Sequence, residues 1–121
     1  MHAYDYALLR VVPRVHAGGG EAVGVILQCR QRRFLGVRWV APPETLAARW
    51  PALAPLLPRY LGALEAVASG DGPVGRYPPS ERFHWLTATR STVLQPSAVH
   101  TGLTEDPAAT LDALALDLRG T

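Results

Sequence analysis

Lysine and asparagine are missing from this chain, and cysteine occurs once, at Cys29. A lone cysteine excludes an internal disulfide and fits a reducing compartment. Beside it stand only four histidines, at positions 2, 16, 84 and 100, without ligand spacing. No metal and no cofactor is expected from that set. No apolar run approaches the roughly 20 residues that a membrane span needs. The stretch Met1 to Tyr6 has no basic region leading into an apolar one, so a secretory signal is not read either. The expectation is a cytoplasmic protein with no membrane partner.

With lysine absent, all twelve cationic side chains are arginine. A GC-rich genome produces this bias. A surface selected for bidentate phosphate or carboxylate recognition produces it too, because the guanidinium fork fits those anions. The charges are also unevenly placed. Residues 1–40 carry six arginines against Asp5 and Glu21, whereas the tail sets Arg119 against Glu105, Asp106, Asp112 and Asp117. The basic end permits an anionic partner without requiring one.

What the chain does have is apolar substance: 48% of its 121 residues are apolar and 18% charged, the balance of a globular domain. One domain, 1–121, is read, large enough to bury roughly two-thirds of its unfolded surface. Tyr4 to Val12 is rich in aromatic and β-branched residues and stops at Pro13, so it reads as a strand. Glu21 to Cys29 is apolar on both faces, hence a central strand. Phe34 to Val40 follows after a polar turn, and short connections favour antiparallel pairing. Gly24 and Gly36 inside these strands point to a bulge or a close backbone approach.

Pro43 opens a short helix over Glu44 to Trp50, and a longer helix runs from Pro58 to Ala68 with Leu61, Leu64 and Val67/Ala68 inward. Residues 69–82 read as loop. Phe83 to Ala88 and Thr92 to Gln95 read as two short strands, and Gln95 to Gly102 as irregular backbone. Asp106-Pro107 starts a last helix, cap then proline, ending near Arg119. The sum is α+β: an antiparallel sheet of four to five strands with helices packed on one face. The other face then needs cover. A two-fold homodimer is the expected remedy. The alternative is that the Arg76–Arg82 loop and the Ser80–Thr104 segment seal that face.

Chemistry concentrates between Ser80 and Thr104, where two histidines, Trp85, two arginines and eight hydroxyl residues crowd together. Two readings remain open. In the first, the segment is the ligand-binding surface of a non-catalytic module. Arg82, His84, Arg90, Ser91, Thr92, Gln95, His100 and Thr101 would hold a protein partner or a phosphate-bearing ligand. In the second, His84 and His100 are acid and base of a small metal-independent phosphoesterase or nuclease, with Arg90 stabilising developing charge. The duplicated His-x-Ser/Thr pattern of two-histidine phosphoesterases is not met, since Trp85-Leu86 and Thr101-Gly102 follow the two histidines. The plainer alternatives are a half-buried strand histidine at 84 and a polar turn at 90–92. Nucleic acid is not excluded as a partner: Arg30, Arg32, Arg33 and Arg38 with Trp39 could track a phosphate backbone. Cys29 reads as core.

Three segments carry a family resemblance: YDYALLRVVPRV (Tyr4–Val15), EAVGVILQC (Glu21–Cys29) and SERFHWLTATRSTVLQPSAVHTGLTEDP (Ser80–Pro107). On these the chain resembles the bacterial family known as domain of unknown function 3037, over nearly its full length. Members usually have Asn where Ala22 stands and commonly Pro where Ala98 stands. The resemblance brings no established activity. The family's genes lie beside genes for HipA-like kinases, which implies an accessory or regulatory partner of such a kinase.

Overall fold

The computed structural model describes residues 1–12, 20–88 and 94–119. Strand β1 (His2–Val11) is central, flanked by β2 (Glu21–Cys29) and then β3 (Phe34–Trp39) on one side. On its other side β1 pairs with two short strands, β5 (His100–Thr104) along its first half and β4 (Leu94–Pro96) along its last. All pairings are antiparallel. Between β4 and β5 the edge is carried by Ser97. Its N–H donates to the Leu8 carbonyl at 2.8 Å, while its hydroxyl accepts from the Leu8 N–H at 2.9 Å. The edge therefore kinks without leaving a backbone group of Leu8 unpaired.

The helices are α1 (Pro43–Arg49), α2 (Leu57–Ser69), α3 (Pro79–Thr87) and α4 (Pro107–Arg119). The α+β class and the five-stranded antiparallel sheet match the sequence reading. Helix placement does not. Ala7, Leu9, Val11, Ile26 and Val37 point to one face, where Leu46, Leu57, Leu61, Phe83 and Leu86 of α1 to α3 bury them. Val25, Leu27, Tyr6, Leu8 and Phe34 point to the other, and α4 lays Leu111 and Ala115 on them. Helices thus cover both faces, because successive side chains of β1 and β2 are apolar on both sides. On the face for which a homodimer was the expected cover, α4 lies over β2 and β3.

The close approaches expected at the strand glycines are there. A Cβ on Gly24 would lie 2.5 Å from the Trp39 ring, and one on Gly36 would lie 2.7 Å from Leu111 Cδ2. The register of β1 and β2 also slips between Leu9 and Arg10. Val23, skipped by the pairing, joins Val11 and Leu46 in the core. Cys29 is fully buried, as a core residue should be.

Two elements differ from the sequence reading. Phe83 to Ala88 is not a strand: Phe83 to Thr87 form the second half of α3, which has Pro79 in its first turn, and Ala88 follows it in extended backbone. Phe83 and Leu86, three apart, reach the sheet while His84 and Trp85 stay exposed. His100-Thr101-Gly102, read as irregular, belongs to β5. Gly102 makes that strand possible, since a Cβ there would sit 2.5 Å from the Tyr4 hydroxyl. No helix among the described residues is long and apolar enough to cross a membrane.

Candidate functional site

Of the eight ligand-binding candidates, Arg90, Ser91 and Thr92 lie outside the described residues. Arg82 has another task. Its Nη1 donates to the carbonyls of Val67 and Ala68 at 3.0 and 2.7 Å, and its Nε donates to Tyr77 at 2.9 Å. Gly70, in the left-handed region at φ 92°, turns the chain so that Asp71 N–H bonds the Ala66 carbonyl at 2.8 Å. The Val67 carbonyl, which also accepts from the Gly70 N–H at 3.1 Å, and the Ala68 carbonyl both take the guanidinium. Arg82 is a clamp between α2 and α3, with its Nε and Nη1 engaged by carbonyls.

The two histidines part company. His84 lies exposed on α3, its ring edge-on to Phe83 at 6.5 Å, and α3 packs on the Ala7–Leu9 face. His100 opens β5 opposite Tyr6, with ring centroids 5.3 Å apart, and Tyr6 belongs to the α4 face. The sheet stands between them. An acid and a base must both reach one scissile bond, and the structure does not bring together the two histidines that the phosphoesterase reading pairs. Gln95 sits mid-β4 opposite Arg10. Thr101 faces Asp5 across the β1–β5 pair and is exposed. Among the described residues no group of three or more His, Cys, Asp or Glu is placed to hold a metal ion.

Exposed Arg30 and Arg33, on the β2–β3 hairpin, face Pro78, Pro79 and Ser80 across an open cleft of about 300 Å³. Arg38 is turned away from them and pairs with Asp112 of α4 at 2.9 Å, so the basic run does not act as one surface. A cleft of about 480 Å³ lies at the start of β2, but Arg49 and Glu21 in its wall pair with each other at 3.0 Å.

A smaller feature is more telling. Between α2, α3 and β4 an apolar groove of about 160 Å³ is lined by Tyr60, Leu64, Trp85, Leu86, Leu94 and Pro96. Trp85 and Tyr60 stay 40% and 38% exposed beside it, although both are large and largely apolar. Sequence reasoning missed this groove. It placed Trp85 on a strand and did not pair Tyr60 with Leu64, four residues on, as a stripe of its own.

The model of a protein family described as "Protein of unknown function (DUF3037)" matches residues 6–118 of the chain. No curated protein and no solved structure matches it.

Proposed function

The chain belongs to DUF3037, a family of unknown function, and from that premise we propose that it is a non-catalytic binding module whose Tyr60–Trp85 groove receives a protein partner. One observation carries the reading: two half-exposed aromatic rings border a concave apolar groove. Such rings are the residues on which protein interfaces concentrate their binding energy. The lining of Trp85, Leu86, Leu94 and Pro96 comes from the segment 80–104 in which the sequence concentrates its polar and aromatic residues. Separation of His84 from His100 favours binding over catalysis. The partner we propose is a HipA-like kinase, with this chain as its accessory or regulatory subunit.

Co-expression with such a kinase and affinity capture through this chain tests the reading. The kinase should be retained, and Trp85→Ala should weaken retention roughly thirtyfold, the loss typical of a hot-spot aromatic. Trp85 is exposed, so the variant should melt within a few degrees of the parent. Failure of any such kinase to co-purify, or full retention by Trp85→Ala, would remove the basis for this function.

A further inference from the structure

We propose a second site on the opposite face of the sheet: a cleft for a compact organic ammonium ion, with Asp117 as its counter-charge. Helix α4 stands over β2 and β3, which leaves the β1–β5 part of that face as an open floor. That floor is aromatic. Tyr4 and Tyr6 lie with ring centroids 6.0 Å apart, and Tyr6 continues to His100 at 5.3 Å. Gly102 lets the Tyr4 ring rest on β5, since any Cβ there would collide with it. The near flank of α4 supplies the wall. Together Tyr6, Leu8, His100, Leu114, Asp117 and Leu118 line an open cleft of about 240 Å³.

The chemistry of this lining selects its ligand. Asp117 is the one acidic side chain in it, and among the described residues no cation pairs with Asp117. Arg10, farther along the same face of β1, turns its guanidinium to the Gly20 carbonyl at 3.2 Å. An anion would meet a carboxylate and the negative faces of the rings, so it is rejected. A bare metal ion needs several converging oxygen, nitrogen or sulfur donors, which one carboxylate, one imidazole and one phenol among leucines do not supply. An alkylammonium fits on every count. Its carbon shell packs on Leu114 and Leu118, and its charge lies between Asp117 and the ring of Tyr6. The cleft shares no residue with the Trp85 groove, so the two proposals stand or fall separately.

Tetramethylammonium chloride, titrated into the isotopically labelled chain and followed by NMR, tests the assignment. Saturable shifts are expected at Tyr6, His100, Leu114 and Asp117, with a Kd on the order of 1 mM. Asp117→Asn should weaken binding about tenfold, the effect of one partly screened charge at contact distance. Asp117 is exposed, so the fold should survive, and an unchanged melting curve verifies that. Equal shifts with sodium chloride at the same ionic strength, or with neutral tert-butanol, would overturn the proposal. So would undiminished binding by Asp117→Asn. If the same resonances move with protein concentration alone, the cleft is a contact between copies of this chain and the ammonium site is refuted.

Discussion

Leu111→Ala should cost about 3–4 kcal/mol of folding stability, read as a lowered urea midpoint at unchanged slope. Leu111 is fully buried and is the side chain with which α4 fills the space above Gly36. Truncating it removes the transfer gain of three carbons and leaves a cavity that the flat strand beneath cannot fill. Leu116, on the same helix, is 63% exposed, and its alanine variant should change stability by less than about 0.5 kcal/mol. Equal effects at the two positions would mean that α4 does not pack on the sheet as described. A second comparison is sharper. Gly36→Ala alone drives a methyl into Leu111 Cδ2, at 2.7 Å from an ideal Cβ. In the Leu111→Ala background that clash is gone, and only the Phe34 ring, 2.9 Å from the same Cβ, still has to give. The two changes should therefore cost less together than their sum, by about 1 kcal/mol or more.

Arg82→Ala should cost about 2–3 kcal/mol. Three carbonyls, at Val67, Ala68 and Tyr77, lose a charged donor together. Hydrogen bonds to charged groups contribute about 1.5–3 kcal/mol each when intact, and partial exposure lets water recover some of the loss. Arg82→Lys should restore little, because one ammonium cannot span two chain segments as the planar fork does. Hydrogen exchange should quicken in the last turn of α2 and the first turn of α3. A loss of partner binding with stability unchanged would return Arg82 to the role that sequence alone assigned it, a ligand contact.

The contrast at Arg82 shows where sequence was readable and where it was not. Strands β1 to β3 announced themselves through β-branched runs ended by proline, glycine or polar turns. Helices α1, α2 and α4 did so through proline in the first turn and inward leucines. Helix α3 carries the same start signal at Pro79. Its body, Phe-His-Trp-Leu-Thr, has strand-like composition, and only packing of Phe83 and Leu86 on the sheet decides for helix. Strand β5 has weak propensity of its own and forms because β1 offers it a partner edge. Once α3 is a helix above the sheet and β5 a strand within it, His84 and His100 separate. Proximity along the chain said nothing about that. The Tyr60–Trp85 groove was equally invisible, since it joins α2 to α3 and β4 across residues far apart in sequence.

The broken edge formed by β4 and β5 also bears on whether a further strand can add along that border. A long straight border strand offers its unpaired amides and carbonyls as a template for other chains, and sheet-to-sheet growth starts there. Here Pro96 contributes no amide, and the kink at Ser97 ends one straight run before the next begins at His100. An incoming strand could match at most a few residues before losing register. Straightening that border, with Pro96 replaced by a residue that donates and Ser97 by one without a hydroxyl, would turn a self-limited edge into one able to template a further strand.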